Sequence, residues 1–363
     1  MPELYIGIMS GTSHDGVDAV LATARGKRFP LLESVHLSYP GRLRSRLLAL
    51  HQRGNDELHR AAVLANELSD LYAGAVRRLL ARAGVGARAI AAIGCHGQTV
   101  RHRPGDGYTL QLVNGARLAE RSGITVVCDF RSRDVAAGGE GAPLAPAFHR
   151  AMFGAARHSR VIVNVGGIAN LTLLAARGTV TGFDCGPGNC LLDAWIMERC
   201  RRHYDHDGEW AARGAVNPRL LKKLQSHPFL RRQPPKSTGR EEFNLAWVKR
   251  ALTGRERSVD VQATLLELTA TAIVRAVRIH CQKAGEIYLC GGGARNRALF
   301  LRLVEHLPDR LITTTSALGV APEHVEALAF AWLARQALKR KPGNLSAVTG
   351  ARGPRVLGAI YPK

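Results

Sequence analysis

The chain has 363 residues, of which 46% are hydrophobic and 22% charged, a composition typical of globular proteins that excludes extensive disorder. A chain of this length exceeds the size at which one core keeps growing, so we expect two domains with a ligand-binding cleft between them. The net charge of +22 is compatible with nucleic acid as a partner, but the basic residues are scattered and aromatic residues make up only 6%, so we discount a nucleic-acid binder.

The seven cysteines are odd in number and form no C-x-x-C pair, which argues against a disulfide framework. Reduced thiols and a cytoplasmic location are therefore expected. The first residues lack the basic stretch and the long apolar run of a signal peptide, and no membrane span is visible in the sequence.

The first predicted strand, 5–8, leads into a loop, 9–18, that is rich in glycine, hydroxyl groups and carboxylates. Glycine lets the backbone approach an anion closely, and hydroxyl and N–H groups donate to phosphate oxygens. The carboxylates of Asp15 and Asp18 would repel phosphate unless a cation lies between them, so the loop indicates a Mg²⁺-nucleotide site. Taken alone, the loop is equally consistent with a hairpin turn, because Asp-Gly is a strong turn signal.

Periodicity predicts the elements that follow this loop. Apolar runs and helical spacing predict strands at 19–22, 34–37, 89–94 and 125–130, and a long helix at 56–83. The first two of these strands should form an antiparallel meander with strand 5–8. Polar loops follow the last two strands, at 95–99 and 131–143, and the second is too rich in glycine to be only a connection.

A strand and a glycine turn recur about 150 residues after the first, which predicts two related halves. The predicted elements of this second half are strand 160–165, glycine turn 166–170, strand 171–174, helix 263–284, strand 287–290, glycine turn 291–296 and helix 323–338.

Three glycine turns at the ends of apolar strands can surround one nucleotide, two at its phosphates and the third at its adenosine. The sequence has no G-x-x-x-x-G-K-[ST] motif, so a P-loop is excluded. A Rossmann site and a protein kinase fit poorly, because neither G-x-G-x-x-G after the first strand nor the kinase signature set is present.

This order of loops resembles the actin, heat-shock ATPase and sugar kinase superfamily, and more narrowly the anhydro-N-acetylmuramic acid kinase family. The segments that resemble this family run in order over nearly the whole chain: 7–18, 95–99, 129–132, 138–144, 164–170, 183–189, 235–241, 291–296 and 325–330. The resemblance implies an α/β fold of two duplicated lobes with mixed β-sheets flanked by helices, the nucleotide lying in the cleft between them. We place the N-terminal lobe at 1–150 and the C-terminal lobe at 151–363.

The resemblance also implies the reaction. ATP and water would convert 1,6-anhydro-N-acetylmuramic acid into N-acetylmuramic acid 6-phosphate and ADP, a step of cell-wall (peptidoglycan) recycling. ATP and Mg²⁺ are the expected cofactors, and a cytoplasmic homodimer without nucleic-acid or membrane partners is expected. Two alternatives stay open: another sugar or carboxylate kinase of the superfamily, and a non-enzymatic ATP-binding regulatory module.

Asp184 is the predicted catalytic base, because it follows an apolar strand segment and precedes a Gly-Pro-Gly turn whose amides, with the next helix amino terminus, can face phosphate. The predicted ATP-binding residues are Gly11, Thr12, Ser13, His14, Asp15, Gly16, Val17, Asp18, Gly166, Gly167, Asn170, Gly292, Gly293 and Asn296. Asp15 and Asp18 would bind the metal through its water molecules.

The sugar carries a lactyl carboxylate, for which Arg131 can supply bidentate donors. His96, Gln98 and Glu326 are candidates for its hydroxyl groups, and each is equally consistent with a structural role. The sequence departs from the family pattern at three positions, namely His14, Arg133 and Cys185. A thiol binds phosphate or metal less well than the threonine expected at 185, so we expect altered rate or affinity there.

Overall fold

The structure is a computed structural model that describes residues 3–11, 16–26 and 29–363. The chain folds into two compact units. Unit 1 consists of Met1–Met152 and His324–Lys363, and unit 2 of Phe153–Glu323. The predicted boundary at residue 150 lies close to the first division, but the assignment of 324–363 to the C-terminal lobe is corrected, since this segment belongs to unit 1.

Strands occur in both units, and their bounds fix where the glycine turns lie. In the described residues they are β1 (Glu3–Met9), β2 (Gly16–Ala24), β3 (Leu31–Ser38), β4 (Ile90–Cys95), β5 (Gln98–Arg103), β6 (Tyr108–Leu112), β7 (Val126–Cys128), β8 (Ser159–Val165), β9 (Ile168–Leu174), β10 (Thr181–Pro187), β11 (Ala284–Cys290), β12 (Leu311–Thr314) and β13 (Ala359–Tyr361).

The helices are mostly amphipathic segments that cover the sheets. Their bounds are α1 (Gly41–Ala49), α2 (Glu57–Ala83), α3 (Gly115–Ser122), α4 (Ser132–Ala136), α5 (Ala145–Phe153), α6 (Cys190–Cys200), α7 (Glu209–Ala212), α8 (Pro218–Gln225), α9 (Leu245–Ala251), α10 (Ser258–His280), α11 (Arg297–His306), α12 (Val325–Leu338) and α13 (Ser346–Thr349). Among the described helices, none is both long enough and apolar enough to cross a membrane.

The main sheet of unit 1 has the strand order β13-β7-β4-β1-β2-β3. Strands β1, β2 and β3 form the predicted antiparallel meander, and β4 and β7 add in parallel. Alternate side chains of these strands, such as Ile6 and Val17, join Leu68 and Tyr72 of α2 in a buried cluster on one face.

Helix α12 covers the opposite face of this sheet. Its backbone packs directly against the backbone of β1 and β4. A Cβ atom on Gly7 would overlap the carbonyl oxygen of Ala327, and one on Gly94 would overlap that of Phe330. Strands β1 and β4 therefore need glycine where the helix crosses them. This close packing is the physical reason why the C-terminal segment belongs to unit 1.

The sheet of unit 2 has the order β10-β9-β8-β11-β12, with β8, β9 and β10 antiparallel and β11 and β12 parallel to β8. Helices α6, α8 and α10 contribute Trp195, Leu220 and Leu268 to the buried cluster on one face, where they meet Val163 and Phe183. Both sheets thus place an antiparallel three-strand meander beside two parallel strands. The predicted fold class of two duplicated α/β lobes with mixed sheets flanked by helices is confirmed.

Several elements differ from the expectations, and short helices such as α1, α3, α8 and α11 have no predicted counterpart. Helix α10 spans Ser258–His280 instead of the predicted 263–284, and its end lies earlier because β11 already starts at Ala284. The hairpin of β5 and β6 and the short strands β12 and β13 were not expected, since they carry polar or exposed residues without clear alternation.

Candidate active site

Asp184 lies on β10, in a row of polar side chains that crosses three strands. Asn164 of β8 pairs with Asn170 of β9, which in turn pairs with Asp184. Residues directly opposite each other in an antiparallel sheet project from the same face, so these three share one face. The neighbours Phe183 and Cys185 project from the other face into the core of unit 2.

The segment that follows Pro235 holds the Asp184 carboxylate. Its Oδ2 accepts hydrogen bonds from Ser237 Oγ at 3.1 Å and from the Thr238 backbone N–H at 2.9 Å. The Asp184 N–H also donates to the Lys236 carbonyl oxygen at 3.2 Å. Donors of this kind favour the ionised carboxylate and fix its orientation, which a general base requires.

Asn170 presents an acceptor beside this carboxylate. Its Oδ1 is buried and has no hydrogen-bond partner among the described residues. Burying a polar atom without a partner costs free energy, so this oxygen is suited to accept a hydrogen bond from a ligand.

The second glycine turn is held by the amino terminus of α6. The carbonyl oxygen of Gly166 accepts from the Asn189 N–H at 2.8 Å, and that of Gly167 accepts from the N–H groups of Gly188 and Cys190 at 3.0 and 3.1 Å. These amides were expected to face phosphate. Because they bond to the turn instead, they organise the loop, and that expectation is corrected for the amides of residues 188–190.

The third glycine turn follows β11 and leads into α11. Gly293 is buried, and a Cβ atom there would overlap the Val165 side chain, whereas Gly292 is exposed with open space around it. Asn296 is the N-cap of α11, since its Oδ1 accepts from the Leu299 N–H at 3.0 Å. Gly292 is therefore the most accessible of the three predicted nucleotide contacts in this turn.

The first glycine loop begins at the end of β1. Its predicted residues Thr12, Ser13, His14 and Asp15 lie outside the described residues. On the near side of that gap, Gln98 Nε2 donates to the Gly11 carbonyl oxygen at 3.1 Å, and Ser10 Oγ donates to the Gly97 carbonyl oxygen at 2.9 Å. The turn between β4 and β5 thus supports the start of the loop.

Buried hydroxyl groups extend this support. Ser10 Oγ lies 2.9 Å from Tyr72 Oη, which lies 3.3 Å from Tyr39 Oη. Tyr39 Oη donates to Gln98 Oε1 at 3.5 Å, so both ends of the Gln98 amide are engaged within unit 1. Burial raises the pKa of Tyr72 well above its usual value, so this hydroxyl stays protonated.

On the far side of the gap, β2 carries Gly16, Val17 and Asp18. The Val17 side chain is fully buried in the core, so it offers a ligand only its backbone. The Asp18 carboxylate is about half exposed and lies 2.8 Å from His36 Nδ1.

Within the part of the chain that the structure describes, no group of three or more His, Cys, Asp or Glu side chains could hold a metal ion. An exposed carboxylate such as that of Asp18 fits a Mg²⁺ ion that keeps its waters and binds mainly to phosphates.

Arg131 and His96 lie in direct contact. Arg131 Nε and Nη2 both approach His96 Nε2, at 3.1 and 3.0 Å, and Nη1 donates to the Gly141 carbonyl oxygen at 2.7 Å. Burial, reinforced by the Arg131 charge, lowers the pKa of His96 to about 3. The imidazole is therefore neutral and accepts at Nε2. Glu326, the remaining residue predicted to bind the sugar, lies in the first turn of α12.

Asp134 is a buried carboxylate that the sequence did not single out. Its Oδ2 accepts from the Gly141 N–H at 2.8 Å, and its Oδ1 accepts from Asn344 Nδ2 at 2.7 Å and Thr349 Oγ1 at 2.8 Å. It joins the glycine-rich loop to the C-terminal segment of unit 1. No local pattern marks such a residue, because its partners are distant in sequence.

Cys185 stands where the family pattern has a threonine, and its side chain does not lie on the side of β10 where phosphate or metal would be bound. Its side chain is only 2% exposed and lies in the core on the opposite face of β10 from Asp184. Burial raises the pKa of this thiol, so it stays protonated. A threonine here would contact the same core, so the expected effect on phosphate or metal binding has no support in this geometry.

Comparison with known proteins gives consistent matches. The family model for anhydro-N-acetylmuramic acid kinase matches residues 3–363. The protein of that name from Nitrosomonas europaea is 55% identical over 360 residues, covering 99% of each chain. That from Chromobacterium violaceum is 51% identical over 367 residues, covering 100% of each chain. Among solved structures, component A of (R)-2-hydroxyglutaryl-CoA dehydratase from Acidaminococcus fermentans aligns with a TM-score of 0.49 and 12% identity, covering 91% of this chain and 96% of that one.

Proposed function

Because the chain belongs to the anhydro-N-acetylmuramic acid kinase family, we propose that it hydrolyses the 1,6-anhydro bridge of 1,6-anhydro-N-acetylmuramic acid and phosphorylates O6. Membership of this family makes the protein a kinase that uses ATP. The products are N-acetylmuramic acid 6-phosphate and ADP, and the reaction belongs to peptidoglycan recycling. The observation that carries the proposal is the buried Asp184 carboxylate, held by two donors in a chain that matches the family over residues 3–363.

Asp184 acts as the general base. It takes a proton from the water molecule whose oxygen bonds to the anomeric carbon, while the bond from that carbon to O6 breaks. O6 in turn forms a bond to the γ-phosphorus, and the bond between that phosphorus and ADP breaks. A positioned general base accelerates such a step by roughly 10²–10⁴-fold. Ser237 and Thr238 position the base by fixing Oδ2.

The nucleotide is assigned to the three glycine turns. Gly11, Gly16, Gly166 and Gly167 would lie at the phosphates, and Gly292 at the adenosine. The open space around Gly292 supports its assignment. Asp15 and Asp18 would hold Mg²⁺ through its waters, and the ion, when bound, neutralises phosphate charge.

The substrate carboxylate is assigned to Arg131, whose guanidinium is oriented by His96 and by the Gly141 carbonyl oxygen. Glu326 would accept from a sugar hydroxyl. Gln98 takes a different role from the one first expected. Because its amide bonds to Gly11 and Tyr39, we assign it to positioning the first glycine loop rather than to the sugar.

The reaction is tested by product analysis. The protein is incubated with the anhydro-sugar, ATP and Mg²⁺ in ¹⁸O-labelled water, and the product is examined by mass spectrometry after short reaction times. The proposal requires one labelled oxygen at the anomeric carbon and none in the phosphate ester. A kinase that phosphorylates a free hydroxyl would instead yield a product that retains the anhydro bridge and lacks the added water.

We also propose a homodimer in a reducing, cytoplasmic setting, without nucleic-acid or membrane partners. The cysteines, all free in the structure, support the reducing compartment. Light scattering coupled to size-exclusion chromatography measures the mass, and a monomer at micromolar concentration would contradict the dimer.

A further inference from the structure

Unit 2 contains a cavity of about 580 Å³ beside β10, on the face opposite Asp184. Helices α8 and α10 and the segment 228–236 form its walls. The cations that line it are Arg231, Arg232, Lys236, Arg275 and Arg278, together with two histidines, and none of the described lining residues is acidic. Leu230 and Ala272 give it an apolar floor.

Lys236 is the least exposed of the lysine and arginine side chains that line the cavity. Its Nζ donates to the Phe229 carbonyl oxygen at 3.3 Å and lies 4.7 Å from the centre of the Phe229 ring. Burial lowers the pKa of Lys236, and the charges of Arg275 and Arg232 act in the same direction. Among the lining cations the four arginines are exposed, and Arg232 pairs with Glu242 at 3.3 Å, so the positive charge that water screens least is that of Lys236.

Arg275 projects from α10 at the rim and makes no hydrogen bond or ion pair within the described residues. An anion between Arg275 and Lys236 would relieve their repulsion and satisfy both side chains. Arginine and lysine around an apolar floor suit a phosphate group attached to a small organic body, and the volume exceeds that of a phosphate alone.

We propose that this cavity binds a phosphate-bearing small molecule through Arg275 and Lys236, and that its occupancy is transmitted to Asp184. The coupling, which rests on the proposed function, runs through three consecutive residues. Lys236 lines the cavity with its side chain and accepts from the Asp184 N–H with its carbonyl oxygen, while Ser237 and Thr238 hold the Asp184 carboxylate. An anion that moves Lys236 therefore acts on the orientation of the base.

Binding is tested first, independently of catalysis. Inorganic pyrophosphate is titrated calorimetrically into the full-length protein saturated with ADP, at constant free Mg²⁺ and ionic strength. Arg275→Gln should weaken binding about tenfold or more, since it removes a charged donor. Arg213→Gln, an exposed arginine of unit 2 outside the cavity, should change it by less than about twofold. Absence of binding, or equal loss in both variants, overturns the site.

Coupling is tested by kinetics with the anhydro-sugar. Saturating pyrophosphate should change kcat of the parent protein by at least about twofold without changing KM for ATP, and Arg275→Gln should lose this response. Binding without any change in kcat overturns the coupling. Binding by a protein that does not convert the anhydro-sugar would leave the site standing and refute the proposed function instead.

Discussion

At the scale of single residues, Asp184 depends on partners that lie far from it in sequence. Ser237 and Thr238 both donate to the same carboxylate oxygen, so its orientation is set by a loop that packs against β10. The sequence offers Asp184 as a candidate base, because a strand that ends in Gly-Pro-Gly is visible locally, and its catalytic role stays a prediction. The two donors could not, since a contact between a loop and a strand end leaves no local pattern.

Replacing the base tests this assignment. Asp184→Asn keeps the size of the side chain and an acceptor oxygen but removes the proton acceptor, so kcat should fall by at least roughly 10²–10⁴ while ATP binding is kept. Steady-state kinetics and calorimetry with a non-hydrolysable ATP analogue measure the two effects. Turnover near the parent rate would refute the assignment.

Ser237→Ala is a graded companion to that variant. It removes one donor to Oδ2 and leaves the Thr238 N–H in place, so kcat should fall by about tenfold. A fall as large as that of Asp184→Asn would show that Ser237 does more than orient the carboxylate.

His96 should remain neutral throughout the working pH range. Its pKa is lowered to about 3 by burial and by Arg131, so its ring should not take up a proton between pH 5 and 8. Heteronuclear NMR of the imidazole nitrogens measures this directly, with exposed histidines in the same spectrum as an internal control. A His96 signal that titrates in this window would contradict the buried pairing with Arg131.

At the scale of elements, the packing of α12 on β1 and β4 explains why Gly7 and Gly94 are glycines, although both lie within ordinary strands. Apolar runs and helical spacing predicted these elements, because they are long and strongly periodic. Their mutual contact was not predictable, since α12 lies more than 200 residues after β4 in the sequence. Sequence patterns report which face of an element is apolar, and they do not report its partner.

Gly94→Ala should destabilise unit 1. The added Cβ would overlap the Phe330 carbonyl oxygen, and overpacking of this kind costs about 1–3 kcal/mol of unfolding free energy. Urea denaturation measures the change. Gly86→Ala is the matched control, because a Cβ atom at this position would have no neighbour within 4 Å, and it should stay within about 0.5 kcal/mol of the parent. Equal stability of the two variants would contradict the close helix crossing.

At the scale of the whole molecule, buried histidines make unit 1 sensitive to acid. Burial lowers the pKa values of His96, His102 and His149 to about 3, 4 and 3, from an ordinary value of 6.5. The unfolded chain therefore binds more protons than the folded chain below pH 6.5. The free energy of unfolding is therefore not reduced by these histidines above pH 6.5. It falls progressively as the pH drops from there toward the pKa values of the folded state.

The free energy of unfolding should therefore fall by about 2 kcal/mol for each of these histidines between pH 7 and pH 5. Urea denaturation at successive pH values measures the fall, and above about pH 5 the carboxylates contribute little. His149→Leu cannot take up a proton, so the fall should be smaller in this variant by the roughly 2 kcal/mol that one such histidine contributes. A free energy that is constant over this range would show that these histidines are accessible to protons in the folded state.

The sequence indicates that the fold contains two related halves, but it does not indicate where the two units begin and end. Two strand and glycine-turn units appear in the sequence, and both sheets place their meander and parallel strands in the same order. A single division at residue 150 nevertheless failed for the last segment, because a chain that returns to its first unit leaves no change in composition at the crossing.

This return has a consequence for synthesis on the ribosome. Unit 2 is one continuous stretch, so it can fold as soon as Glu323 has left the exit tunnel. Unit 1 is interrupted, and the glycine face of β1 and β4 has no cover until α12 has been translated. The sheet of unit 1 is therefore completed only after unit 2 has been synthesised, and the face of β1 and β4 that α12 covers stays open until then.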